Sequence, residues 1–166
     1  HDACPDKEIF FTEASIGTWN YDFGKCLVND FASIFLGTLN RWGRGVTLWN
    51  LLLDEKGAPN RPKGCRTCYG AIEISSESYD YASLVRKSHY YDIAHCSKVI
   101  APGAVRLASA SECGEAIVSA AFANPDGSYA LVAANLSESE RSVEITGTGR
   151  YLTLTLPPRS IVSAKW

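Results

Sequence analysis

The sequence predicts an α/β segment followed by an all-β domain. Three observations carry this reading. Two nearly continuous apolar runs of strand length lie near residues 9–12 and 46–53, with helically spaced apolar residues between them. From about Ala104 onward the chain changes texture, and apolar and polar residues alternate.

The first run, Ile9, Phe10, Phe11 and Thr12, is β-branched or aromatic and reads as a strand covered on both faces, ending at a single acid, Glu13. A carboxylate at the C-terminal edge of such a strand lies where α/β folds place their chemistry. After a turn containing Gly17 and Asn20, the residues Leu27, Phe31, Ile34, Phe35 and Leu39 recur at the spacing of an amphipathic helix. Gly43 and Gly45 are read as its stop signals, and Val46–Leu53 as the second strand. The stretch "DEKGAPNRPKGCRTCYG" is rich in Gly, Pro and charge, which marks a long functional loop leaving the end of that strand. Leu84, Tyr91, Ile93 and Ile100 predict a second helix ending at Pro102-Gly103. Beyond it the alternating segment predicts four or five antiparallel strands of a small sandwich, with Asn124-Pro125-Asp126-Gly127 as a turn between two of them.

With 166 residues, 46% of them hydrophobic, the chain can bury an ordinary core. Sixteen basic residues against eighteen acidic ones leave a net charge of -2 with the basic residues dispersed, so a nucleic-acid partner has no support. No apolar segment approaches membrane-spanning length. The chain starts at "HDACPDKE", so the expectation is a processed start or a piece of a longer gene product. The six cysteines, Cys4, Cys26, Cys65, Cys68, Cys96 and Cys113, are too few for a small-secreted disulfide framework in a chain of this length.

Cys65 and Cys68 form one C-x-x-C without the second pair a zinc site wants, and His89 and His95 fall on different helix faces. A local disulfide in the loop is the better reading, with no metal and no cofactor. The other four cysteines read as buried thiols or one further bridge. His89, Tyr90, Tyr91 and His95 read as packing between the two parts of the chain. Asn135-Leu136-Ser137 fits a glycosylation sequon but falls in a predicted strand.

Two strand-helix units cannot close a (β/α)8 barrel, which needs eight and typically ~250 residues. They would also leave apolar sheet edges bare. The expectation is that the chain is the C-terminal part of a larger protein or folds against another chain.

Four blocks, "FFTEASIGTWN", "GVTLWNLLLDEKGAPN", "HYYDIAHCSKVIAPGAVRLAS" and "AAFANPDGSYALVAAN", in this order and spacing, resemble the C-terminal portion of glycoside hydrolase family 30. That family includes glucosylceramidases and endo-β-1,6-glucanases. The resemblance implies the last two strand-helix units of a (β/α)8 TIM barrel over residues 1–103, with residues 7–13 and 46–53 as strands seven and eight. It implies an antiparallel β-sandwich over 104–166. It places Glu13 at the family's nucleophile, Trp49 as a sugar platform beside it, Asn50 at the same mouth, and Trp19 as a neighbouring sugar contact. For Trp49, core packing is the competing reading.

A retaining enzyme needs a second carboxyl group ~5–5.5 Å from the first as general acid/base. In the family that group precedes everything present here, in an Asn-Glu pair. No such pair occurs in this sequence, and no other acid is read as ending a parallel strand. The implied function is part of a retaining β-glycosidase acting on a β-glucan or other β-glucoside, completed by the N-terminal remainder of the protein or by another chain, and working outside the cytoplasm. The competing expectation is a non-catalytic carbohydrate-binding or assembly fragment.

Overall fold

A computed structural model describes residues 1–109, 114–147 and 149–166. Strand β1 (Ile9–Phe11) pairs in parallel with β2 (Gly43–Val46). Between them runs a helical stretch: α1 (Phe23–Asp30), a π-helical segment (Phe31–Leu36) and a last turn, α2 (Gly37–Leu39). Asp22 starts it in the way an N-cap residue should, its carboxylate accepting the Lys25 amide at 2.8 Å.

A second small sheet follows, with β3 (Leu52–Asp54) parallel to β4 (Ile72–Ile74) and β4 antiparallel to β5 (Val85–Arg86). Then come α3 (Ser88–Ser97) and six strands: β6 (Val105–Leu107), β7 (Ile117–Ala123), β8 (Tyr129–Asn135), β9 (Arg141–Gly147), β10 (Arg150–Leu156) and β11 (Ser160–Lys165). They form an antiparallel sheet in the order β11-β8-β7-β6 and a ribbon of β9 and β10. Among the described residues this part of the chain therefore has six strands, not four or five. The expected turn is present, with Gly127 at φ 82° and its amide donating to the Asn124 carbonyl at 3.0 Å.

Strand β8 shows how the layers meet. Ala130, Val132 and Ala134 lie in one core with Phe31, Phe35 and Leu36 of the π segment, whereas Ala133 lies in a second core with Ile117 and Leu156 and packs toward Val143 and Leu154. The side-chain period of two sends even residues to the helix and odd residues to the ribbon. Both faces of β8 are covered, so it is apolar throughout, and its alanines let the aromatic helix face approach closely. Residues before and after 104 thus share one core. His95 Nδ1, 2.6 Å from Ser163 Oγ, and Asn40, donating to the Ser119 carbonyl at 2.9 Å, join the same halves.

Four local expectations need correction. Strand β1 is not covered on both faces: Phe10 is 54% exposed, because only β2 pairs with it among the described residues. Gly43 and Gly45 lie within β2 rather than stopping the helix. A side chain at Gly43 would collide with Thr38 at the helix end, and one at Gly45 would press on the Phe10 ring, which explains both glycines. The run Val46–Leu53 is not one strand, since its first half pairs with β1 and its end pairs with β4. The second helix is shorter than its apolar pattern suggested: Leu84 follows a 3-10 turn (Tyr81–Ser83) capped by Asp80, and Lys87 is extended with its amide on the Ala71 carbonyl at 2.9 Å.

Candidate active site

The parallel ladder of β1 and β2 continues beyond both strands. The Thr47 amide donates to the Phe11 carbonyl at 2.8 Å, and the Trp49 amide donates to the Ala14 carbonyl at 2.8 Å. Between these bonds Thr12 and Glu13 stand opposite Leu48 alone, the two-against-one arrangement of a β-bulge, which re-aims side chains at a strand end. Glu13 is exposed and has no hydrogen-bond or ion-pair partner among the described residues. Trp49 is 40% exposed and belongs to neither buried core, so it does not fill a core. Asn50 follows through a cis peptide bond, half-buried, its carbonyl accepting the Ala71 amide at 2.6 Å.

Beyond Glu13 the chain leaves the ladder and binds the long loop instead. Gly17 bridges Cys68 antiparallel, the Thr18 amide donates to the Thr67 carbonyl at 2.9 Å, and the Tyr69 amide donates to the Ile16 carbonyl at 2.8 Å. Cys65 and Cys68 form the disulfide expected of their spacing, Cα atoms 5.6 Å apart. Cys4, Cys26 and Cys96 are free, and Cys113 lies outside the described residues. The Trp19 indole lies over Gly17 and is 57% exposed.

Sequence reasoning passed over the residues that hold this loop from below. Lys87 Nζ lies 4.8 Å from the Tyr69 ring centre and 5.8 Å from that of Tyr21, and pairs with Glu73 at 3.0 Å. The Tyr21 hydroxyl accepts the Ser88 amide at 3.1 Å. No local pattern marks these four residues as neighbours, since they come from four separate segments. A second acid also ends a parallel strand, contrary to expectation: Asp54 closes β3. Its carboxylate is engaged in the turn that follows, accepting the amides of Lys56 at 2.9 Å and Ala58 at 2.7 Å, so it is a loop organiser.

Behind the site α1 and α3 enclose a polar cluster. His89 Nε2 lies 3.2 Å from an Asp30 oxygen. Asp92 is fully buried with both oxygens unpartnered among the described residues, and desolvation, helped by the Asp30 charge, pushes its pKa up to about 9. Burial likewise pushes the Cys96 thiol up to about 12. His95 does pack between the two parts of the chain, as read from the sequence, meeting Ser163, whereas His89 packs against Asp30 and Tyr91 against Phe23, both between α1 and α3 within the first part; Asp30 and Asp92 carried no signal in the sequence. The sequon residue Asn135 is buried, its amide donating to the carbonyls of Ser139, Leu156 and Pro157.

Among the described residues no group of three or more His, Cys, Asp or Glu could hold a metal, and no helix is long and apolar enough to cross a membrane. A cavity of about 840 Å³ lies between the two sheets, lined by Ile117, Leu131, Val143, Ile145 and Trp166, and its lining does not include Glu13.

Comparison with known proteins supports the sandwich in the second part of the chain. Residues 103–164 match the glycosyl hydrolase family 30 beta sandwich domain. The solved structure of the endo-β-1,6-glucanase BT3312 is 44% identical with a TM-score of 0.93, over 100% of this chain and 37% of that one. The endo-1,6-beta-D-glucanase BGN16.3 of Trichoderma harzianum is 27% identical over 98% of this chain and 32% of its own length. The lysosomal acid glucosylceramidase of Mus musculus is 24% identical over 99% of this chain and 30% of its own. The chain spans about a third of the length of the relatives it matches.

Proposed function

We propose that this chain, which resembles family 30 glycoside hydrolases along its whole length, is the C-terminal part of a retaining β-glycosidase that cleaves β-linked glucose with Glu13 as nucleophile. The substrate class is a β-1,6-glucan or a glucosylceramide-like glucoside. In this reading residues 1–103 complete a (β/α)8 barrel begun by the N-terminal remainder, and residues 104–166 are the sandwich attached to it. One relation supports it above the rest: Glu13 sits on a bulge beside Ala14, whose carbonyl takes the Trp49 amide, at the shared end of two parallel strands.

Glu13, ionised and aimed by the strand end, attacks the anomeric carbon and displaces the leaving oxygen, which takes a proton from an acid/base carried by the missing strands. That group then removes a proton from water as the water displaces Glu13 from the glycosyl-enzyme. Trp49 offers its indole face to the C–H groups of the pyranose, Asn50 a hydrogen bond to a sugar hydroxyl, and Trp19 a second aromatic surface further along the chain of sugars. The disulfide supports a secreted, periplasmic or cell-surface location.

The competing reading, a non-catalytic binding or assembly fragment, draws on the lack of an acid/base in this sequence. Labelling decides between them. The whole protein, treated with a 2-deoxy-2-fluoroglucoside that arrests retaining enzymes at the glycosyl-enzyme, is expected to carry one adduct on the peptide containing Glu13, absent in Glu13→Gln. An adduct elsewhere, or a product of inverted anomeric configuration, would overturn the assignment. Glycan retention without any hydrolysis would favour the binding module.

A further inference from the structure

We infer that the Cys65–Cys68 disulfide is a positioning element for Trp19, so that the oxidised loop sets how the cleft grips a glycan beyond the sugar at Glu13. This inference rests on the reading of Glu13 and Trp19 given above and goes beyond it.

Residues 16–18 lie in no strand or helix, and their regular backbone links run to residues 67–69: the Gly17–Cys68 bridge, Thr18 to Thr67, and Tyr69 to Ile16. Trp19 leans over Gly17, where no Cβ could fit between the indole and the Thr67 carbonyl. The aim of the indole therefore follows the Thr67 carbonyl. That carbonyl in turn lies inside the disulfide-closed loop, in a segment where Arg61, Pro62, Lys63, Arg66 and Thr67 are all exposed.

An exposed loop with so little packing keeps one conformation only if something limits its freedom. Ordering the backbone of each residue costs conformational entropy, and a cross-link removes part of that cost by restricting the open state. On its other side the loop is anchored through Tyr69, wedged with Tyr21 against Lys87. Opening the disulfide therefore frees Cys65–Thr67 while Tyr69 stays anchored. The expected loosening is confined to Ile16–Trp19 and the loop, and it leaves the sandwich core and Glu13, on its own ladder, in place.

The test compares the whole protein before and after treatment with a phosphine, which reduces the disulfide to two thiols and is itself converted to phosphine oxide. Hydrogen exchange is read on peptides covering 14–20, 65–70 and 129–135, and kinetics on a β-1,6-linked glucotriose and on an aryl β-glucoside. The expected result is exchange faster by about threefold or more in the first two peptides and unchanged in the third. KM for the glucotriose should rise with kcat of the aryl glucoside unchanged, and reoxidation should reverse both. The double variant Cys65→Ser/Cys68→Ser should behave like the reduced protein. Should it fail to fold, reduction of the folded wild type still decides. Acceleration below that threshold in 14–20, or a glucotriose KM that does not move, overturns the inference. No hydrolysis in either redox state would instead overturn the proposed function, and the exchange result would still judge the clamp.

Discussion

Asp30 and His89 meet at 3.2 Å across the α1–α3 contact, with His89 almost fully buried and the Asp92 carboxyl beside them lacking a partner among the described residues. Asp92 keeps its proton in the folded chain up to a pKa of about 9, whereas an unfolded aspartate loses it near ~3.9. Its folded value is raised, so its contribution to stability is fully present below ~pH 4 and is lost as pH climbs toward 9, with a slope of at most about 1.4 kcal/mol per unit. The expected outcome is that Asp92→Asn flattens this fall and makes the chain more stable than wild type at pH 8. Urea unfolding of both proteins at pH 5, 6.5 and 8 measures the difference. Equal slopes would show that the carboxyl is not buried neutral.

Gly17→Ala places a methyl group where the Trp19 ring and the Thr67 carbonyl already lie. Overfilling of a close contact costs about 1–3 kcal/mol. Because the contact belongs to the cleft wall, thermal unfolding should shift modestly while Trp19 moves. A variant with wild-type stability would show that segment 16–19 does not lie against the loop.

Asn135→Ala removes from a buried position one amide group whose two N–H donors serve the carbonyls of Ser139, Leu156 and Pro157. Carbonyls left without partners make the cost about 2–3 kcal/mol. Denaturant midpoints should fall accordingly, and Asn135→Asp, which removes the amide donors while keeping the size, should be no milder.

How much of this was legible in the sequence depended on how far apart the interacting residues lie. The π segment and α1 were readable because Phe31 and Phe35 repeat within one element, and the Asn124–Gly127 turn because it is four consecutive residues. Strand β8 was read as part of an alternating segment, whereas it is apolar from Tyr129 to Ala134 and buried on both faces. The split of Val46–Leu53 was not readable, since both halves are apolar and only their partners, β1 and β4, differ. The Lys87–Tyr21–Tyr69–Glu73 cluster and the Asp30–His89–Asp92 cluster were hidden for the same reason: polar residues on separate elements carry no period that links them. Glu13 was singled out by its place at the end of an apolar run, and the roles proposed for Glu13, Trp49, Asn50 and Trp19 rest on the four blocks of resemblance; the bulge at Glu13 came only with the ladder.

In the whole protein, Glu13→Gln should lower kcat by about a thousandfold or more, the scale of losing a covalent nucleophile, without a change in unfolding temperature. The stability expectation follows from the exposed carboxylate, which has no hydrogen-bond partner to lose among the described residues. With an aryl β-glucoside, Glu13→Ala should regain turnover with azide, which attacks the anomeric carbon from the face the Glu13 carboxylate would use, displaces the aryloxide and remains bonded as the α-glucosyl azide. Retention of more than a tenth of wild-type kcat in Glu13→Gln would remove Glu13 from the mechanism.

The last expectation concerns the 166-residue chain on its own. Phe10 is 54% exposed, Leu51 72% and Trp49 40%, and β1 has a single strand neighbour among the described residues. An open apolar edge of this kind pairs with whatever strand it meets, and in a dilute solution of the chain alone that is a second copy. Light scattering across a concentration series should therefore show self-association that rises with concentration. Phe10→Lys combined with Leu51→Lys should suppress it, since a lysine at each place would have to be desolvated in the contact. The same two substitutions in the whole protein should destabilise it by about 2–5 kcal/mol if these side chains are buried there. If they leave the whole protein as stable as wild type, this edge faces solvent there too, and the barrel reading of residues 1–103 fails.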